Sequence, residues 1–432
     1  MNNVKMPNTP PKGFKDVFGR PAWMENVVSQ ALVNWHHLRG YKLLRVPVIE
    51  RVTSFSKDVV GSSPWPEWNI KNCICLKLEN YDRDYKTVDY LDVLLIPEAT
   101  VSVARWLSTY VEKEGHNIFP LKIMYYCPCF RNENIESLID NYKLRQFDQF
   151  GIEILGTSSE YADIETILLI VEGLEHVGIA RNNILVRIGD IRLLKSLAKR
   201  TRLNEATTLF CKQIMDRIAE TRAKGEKVEK LKKMLYEKIY VRSIPFDVKK
   251  AWEDLADTAT SYKNIHKLSA LLDNSIISNL KKLSSHLDSL NVSSILDLAV
   301  VRSHEYYNSL VMEVDIHNKG INVVEIAGGG RYNRLVSPFL PKESRPIPAV
   351  GYAYGLQRIC GILSKMGKDI RIEFNVRLKP AEKVVIPQSG DPVKDFKLAN
   401  KYAREGKQAD VYVGDFNSNL RDYVRANKAI LA

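Results

Sequence analysis

A chain of 432 residues with 45% hydrophobic and 26% charged residues can bury sizeable cores and suggests two or three domains. No apolar run approaches a membrane span, which argues against an integral membrane protein, and the opening MNNVKMPNTPPKGFKDVF lacks the apolar centre of a secretory signal, so a cytoplasmic location is expected. The 63 basic residues outnumber the 51 acidic ones by 12, which favours a polyanionic partner such as RNA, and six cysteines in this length make no disulfide framework.

Residues 21–39 carry Val27, Val28, Ala31, Leu32, Trp35 and Leu38 at helical spacing, and Gly40 ends the run. The extended segment YKLLRVPVIE follows; Pro47 at its centre implies an edge or interface strand. Segments 69–78, 87–97, 121–130 and 145–156 read as strands. With 299–316, 321–328 and 348–352 they predict one large, mainly antiparallel sheet, covered by helices at 158–177 and 354–366. Cys73/Cys75 and Cys127/Cys129 have CxC spacing on such strands; this suits either buried thiols or, if the strands are neighbours, a zinc site. Residues 190–297 are almost wholly helical in pattern, and AETRAKGEKVEKLKKMLYEKIY reads as a solvated helix with i, i+4 charge pairs. From Pro380 the order strand, helix, strand, helix predicts a short α/β unit.

The most informative stretch is 128–156, PCFRNENIESLIDNYKLRQFDQFGIEILG. It reads as a hairpin with Arg131 on one arm and, on a single face of the other, Gln149, Gly151 and Glu153. A guanidinium suits an anionic phosphate, while an amide and a carboxylate suit an N–H-rich ligand beside it. FRNE followed by RQFDQFGIEILG resembles motif 2 of class II aminoacyl-tRNA synthetases, in the form found in histidyl-tRNA synthetases and their paralogues. AVVRSHEYYNS (299–309), EIAGGGRYNRLV (325–336) and PAVGYAYGLQRI (348–359) resemble, in order, the family's histidine signature, its AGGGRYD segment and motif 3. The helix and proline-containing strand near the start resemble motif 1, the family's twofold contact.

The resemblance implies an α+β protein with a class II antiparallel sheet flanked by helices. It divides into a first catalytic half (1–189), a helical insertion (190–297), a second catalytic half (298–378) and a truncated anticodon-binding-like unit (379–432). It implies histidine activation with ATP and Mg2+, transfer to tRNA, and a homodimer. Arg131 would hold the α-phosphate with Glu133 beside the nucleotide, Arg302 would bridge the histidine carboxylate and that phosphate, and Arg358 would bind the outer phosphates. Glu98, Thr100 and Gln149 would receive the α-ammonium group. Glu153 and Tyr307 would flank the imidazole, with Tyr306 adjacent, and Tyr332 and Gly328 to Gly330 would form the floor. The alternation of a strand would turn one of Tyr306 and Tyr307 away from any pocket. No separate metal motif is visible.

Five departures from the family pattern touch ATP handling and tRNA contact: IPEAT, SHEYY, GGRYN, GLQR and an arginine-poor motif 2 loop. They keep open a second function, that of a non-charging paralogue like the regulatory subunit of ATP phosphoribosyltransferase. The insertion would either reach over an acceptor stem or act as a spacer.

Overall fold

The structure is a computed structural model that describes residues 9–60, 73–132, 144–240, 245–265, 268–302, 306–318, 321–342, 344–366, 382–414 and 420–432. In its first half, α1 (Arg20–Leu38) leads to β1 (Lys42–Leu44), β2 (Ile49–Arg51), the single turn α2 (Lys57–Val60), β3 (Ile74–Tyr81) and β4 (Thr87–Leu95). Then come α3 (Thr100–Glu114), β5 (Leu121–Phe130), β6 (Gln146–Leu155), α4 (Glu160–His176) and β7 (Ile184–Asp190). Next are α5 (Ile191–Arg200), α6 (Glu205–Ala223), α7 (Glu229–Ile239), α8 (Phe246–Asp257), β8 (Ala259–Thr260), α9 (Asn274–Ser289) and β9 (Ser294–Asp297). The chain continues through β10 (Leu310–Asn318), β11 (Ile321–Arg331), β12 (Ala349–Gly355) and α10 (Leu356–Lys365). It ends with β13 (Lys383–Ile386), α11 (Pro392–Arg404), β14 (Gln408–Val411), α12 (Leu420–Ala426) and β15 (Ile430–Leu431).

Nine strands form the central sheet in the order β1-β5-β6-β12-β11-β10-β7-β9-β8. Its pairs are antiparallel except β1 with β5 and β7 with β9, so the large, mainly antiparallel sheet flanked by helices is present. This is the α+β architecture that the sequence resemblance implies. No helix among the described residues is long and apolar enough to cross a membrane.

Four expectations are corrected. YKLLRVPVIE is not one strand: Pro47 cannot donate to a ladder, and the chain changes sheets there, β1 edging the central sheet and β2 pairing with β4. Segment 87–97 and the described part of 69–78, from residue 73, do not join the large sheet; β3 and β4 form with β2 a separate three-stranded sheet, and residues 69–72 lie outside the described residues. The reason is patterning, since Lys77, Glu79, Asp89 and Asp92 interrupt a run that a doubly covered strand would keep apolar. Of segment 299–316, the described residues form a strand only from Leu310, and Arg302 takes φ +54°, outside the extended region. Within 190–297, the short strands β8 and β9 extend the edge of the central sheet.

One face of the sheet is packed by α1, α4 and α10. Phe150 and its cross-strand partner Tyr354 point to this side, where the Tyr354 hydroxyl donates to the carbonyls of Leu169 and Ile170 in α4. The opposite face carries Glu153 paired with Gly351, Gly151 with Ala353, and Ala353 with Gly328. Small residues on three adjacent strands thus leave a hollow over the middle of the sheet.

The C-terminal unit has the expected β-α-β-α order, with a parallel sheet β14-β13-β15. Buried charges fasten it to the rest. Lys122 on β5 donates to Asp410 at 2.5 Å, to Glu165 at 3.1 Å and to the carbonyl of Val411 at 2.7 Å. Arg39 and Asn400 share the carboxylate of Glu172, and Thr157 donates to the carbonyl of Val413.

Candidate active site

The hollow is a cavity of about 250 Å³. Arg131, Arg302 and Arg358 line it together with Glu98, Thr100, Gln149, Glu153, Tyr306, Tyr307, Gly328 and Tyr332. Eleven residues singled out from the sequence therefore meet at one place. Glu133 lies outside the described residues, as do Ser303, His304 and Glu305.

Each arginine is held by a backbone or carboxylate partner. Arg131, at the end of β5, donates from Nε to the carbonyl of Pro97 at 3.1 Å, and its guanidinium lies 5.1 Å from the Phe147 ring centre. Arg302 donates from Nη1 to Glu313 at 3.1 Å. Arg358, in the first turn of α10, donates from Nη1 to the carbonyl of Glu325. Burial opposes the charge on Arg302, but Glu313, Tyr307, Glu325 and Asp216 around it outweigh that and hold the guanidinium firmly protonated.

The polar end of the cavity is built around Glu153. Its carboxylate is buried and accepts from the Tyr332 hydroxyl at 2.5 Å. Burial, with Glu98 nearby, pushes its pKa up to about 8 even though the Tyr332 hydroxyl stabilises the ionised form. At pH 7 Glu153 is therefore held largely as the neutral acid. Burial likewise raises the pKa of Glu98, and of Tyr307 to about 12.

The expectations for four residues change in detail. Glu98 sits before α3, and its two oxygens accept from the N–H groups of Thr100 and Val101 at 2.9 Å each. Those are orphan donors of a helix start, so Glu98 already has two partners before any ammonium group arrives. Gln149 accepts from the Ala99 N–H at 3.0 Å through its oxygen, which leaves the NH2 end as its remaining polar group. Tyr306 and Tyr307 both line the cavity, correcting the expectation that one turns away: they lie in a turn before β10, where strand alternation does not apply.

Glycine is required at the floor for a specific reason. A Cβ on Gly328 would lie 2.4 Å from Nη1 of Arg302. Gly329 faces the other side, against Tyr352, and Gly330 packs under Tyr307, so of the three only Gly328 forms the cavity wall.

Sequence reasoning missed an acidic wall. Asp216 and Glu220 from α6, Glu313 from β10 and Glu325 from β11 also line the cavity. Burial and the neighbouring Glu313 raise the pKa of Glu325 to about 7, and burial raises that of Asp216. The usable signal was LVMEVDI, where two acids at i, i+2 interrupt an apolar strand and demand buried partners. Nothing in the helical pattern of α6 marked Asp216. Gln357 bonds Asp148 twice, donating to its carboxylate at 3.1 Å and accepting from its N–H at 2.9 Å. Cys127 and Cys129 are buried on β5 while Cys75 is exposed on the other sheet, and no set of three or more metal-ligating side chains converges among the described residues.

Such a site offers three guanidinium groups to anionic oxygens, beside a carboxyl group and phenols that suit a ring nitrogen. The chain is similar to known proteins. A sequence model described as "Histidyl-tRNA synthetase" matches residues 85–359. A histidine--tRNA ligase of Methanococcus maripaludis is 30% identical over 356 residues, 81% of this chain and 74% of that protein. A histidine--tRNA ligase of Clostridium novyi is 26% identical over 404 residues, 93% of this chain and 84% of that protein. Among solved structures, an ATP phosphoribosyltransferase regulatory subunit/histidyl-tRNA synthetase from Bacillus halodurans superposes with TM-score 0.62 at 18% identity, over 98% of both chains. A histidine--tRNA ligase subunit from Alicyclobacillus acidocaldarius gives 0.62 at 20% identity, over 84% of this chain and 99% of that one. At those identities the superpositions speak for the fold.

Proposed function

The chain belongs to the histidyl-tRNA synthetase family, and we propose that it is a histidine–tRNA ligase. In this reading a carboxylate oxygen of histidine attacks the α-phosphorus of ATP, pyrophosphate leaves, and the histidyl group of the adenylate then passes to a tRNA ribose hydroxyl with release of AMP. The observation that carries the proposal is the lining of a single cavity by three distant arginines and the Glu153–Tyr332 pair.

Two anions must meet in the first step, so aligned positive charge is the principal catalytic demand. Arg302 would hold the histidine carboxylate against the α-phosphate, with Arg131 on the same phosphate and Arg358 on the outer ones. Glu153 would take an imidazole N–H, and Tyr307 would face the other ring nitrogen. Glu98, Thr100 and Gln149 would border the α-ammonium group.

The three arginines suit a polyphosphate. Magnesium would screen the outer phosphates and be held by them and by water. Gln357, where the family usually has a carboxylate, is tied to Asp148 and contributes no anionic ligand.

The same reading carries a homodimer and a cytoplasmic location. Trp23, Leu43 and Ile49, in the helix and strands that resemble the family's twofold contact, are exposed in the single chain, and light scattering at the mass of two chains would test the dimer. A second reading, a histidine-binding paralogue that charges no tRNA, draws on the neutral Gln357 and on the acids crowding Arg302. Histidine-dependent ATP–pyrophosphate exchange, followed by charging of bulk tRNA, separates the two.

A further inference from the structure

Behind the cavity wall lies a chain of buried ion pairs. Asp315 on β10, fully buried, accepts from Arg187 on β7 at 2.6 Å to Nε and 3.2 Å to Nη2. Arg187 Nη2 also reaches Glu313 at 2.8 Å, and the other oxygen of Glu313 accepts from Arg302 Nη1 at 3.1 Å. Sheet register explains the first links: Arg187 sits directly opposite Glu313 on the neighbouring strand, and Asp315 is the next residue along the same face.

A second branch leaves the same carboxylate. The register of β10 and β11 shifts between Val314 and Ile316, and at that irregularity Glu325 takes φ +56°, unusual for a non-glycine residue. Asp315 Oδ1 accepts the Glu325 N–H at 2.9 Å, and the carbonyl of Glu325 accepts from Arg358 Nη1. The backbone that presents this carbonyl is therefore pinned by Asp315.

We propose that Asp315 is a positioning residue shared by two arginines of the site, orienting Arg302 through Arg187 and Glu313 and Arg358 through the Glu325 bulge. The inference rests on the adenylation reading for its consequence, not for its geometry. One carboxylate sets the distance between the group that would hold the reacting centre and the group that would hold the departing pyrophosphate.

The test compares two variants in histidine-dependent ATP–pyrophosphate exchange. Asp315→Asn keeps the shape but removes the charge that binds Arg187 and leaves a weaker, neutral acceptor to be shared between Arg187 and the Glu325 N–H; we expect kcat to fall at least tenfold and the KM for ATP to rise at least tenfold together. Arg187→Met cuts only the Arg302 branch, so kcat should fall while the KM for ATP stays within about twofold. A purely structural role would lower the active fraction, and hence kcat, in both variants with unchanged KM, and that result overturns the proposal. If Asp315→Asn does not fold, the double variant Arg187→Met/Asp315→Leu removes the pair without stranding a charge and should reproduce the joint change in kcat and KM. If the wild type shows no exchange, the adenylation reading fails by itself. The crystal structure of Asp315→Asn, or of the double variant, then decides: loss of both the Arg302–Glu313 and the Arg358–Glu325 contacts sustains the proposal, and their retention overturns it.

Discussion

Gly328 and Arg302 occupy one another's space: a β-carbon on the glycine would fall 2.4 Å from the guanidinium Nη1. The residue without a side chain is what lets the guanidinium approach the sheet here and reach Glu313. Gly328→Ala should therefore displace Arg302 while leaving the sheet intact, since position 328 has no positive φ to strain an alanine. A displacement of about 1 Å at a reacting group costs roughly a hundredfold in rate. We expect that order of loss in the kcat of exchange, with a melting temperature within a few degrees of wild type. An alanine variant of undiminished kcat would show that the position of Arg302 does not matter.

Glu153 predicts a pH dependence of stability. Its pKa rises from the ordinary 4.5 of a glutamate to about 8 in the fold, so the native state binds this proton more tightly than the unfolded chain. The sign follows: the contribution is fully present below pH 4.5 and is lost as pH rises through 8. Glu153→Gln keeps a neutral group there at every pH. Melting curves of the two proteins without ligand should converge near pH 5, and the variant should gain steadily on wild type up to pH 9. A difference that does not change with pH would contradict the buried, largely protonated carboxyl group.

Tyr332→Phe removes the hydroxyl that donates to Glu153 at 2.5 Å and leaves a buried acceptor without that partner. Such a loss costs about 1–3 kcal/mol. If it is expressed in substrate binding, the KM for histidine should rise on the order of tenfold, with the KM for ATP nearly unchanged. Equal shifts in both would place Tyr332 outside the histidine end of the cavity.

The C-terminal unit makes a prediction about stability rather than chemistry. Lys122 is buried, and Asp410 from the far unit is one of its two carboxylate partners. Tyr423 also donates to Asp410 at 2.6 Å. Asp410→Ala takes one of two carboxylates from a buried lysine and the acceptor from Tyr423; with Glu165 still paired to Lys122, the loss is about 1–3 kcal/mol. Urea unfolding should show a loss of that size; a loss below about 1 kcal/mol would mean that water reaches Lys122 and the unit is only loosely seated.

Much of the site was legible because its residues fall in short segments with distinctive chemistry. Arg131, Glu153, Tyr307 and Arg358 are all where a strand, a turn or a helix start would put them. Strand alternation predicted that Gln149, Gly151 and Glu153 share a face, and they do, because β6 is regular throughout. It misled at Tyr306 and Tyr307 because the chain around Arg302 is not a strand. The separate β2-β4-β3 sheet was hidden because isolated strands reveal pattern but not partners. Asp216 and Glu220 were invisible for a similar reason: the helical pattern does not name its partner, and only the packing of α6 over β11 brings them to the cavity. The ladder from Asp315 to Arg302 left only the trace of two acids within an apolar strand.

The most direct test is exchange of labelled pyrophosphate into ATP, run with each amino acid on wild type and on Arg302→Ala. Exchange should require histidine, with other amino acids weaker by about four orders of magnitude, and should vanish in the variant while its fold persists. No exchange with histidine, exchange driven equally well by another amino acid, or a normal rate in Arg302→Ala would contradict the account.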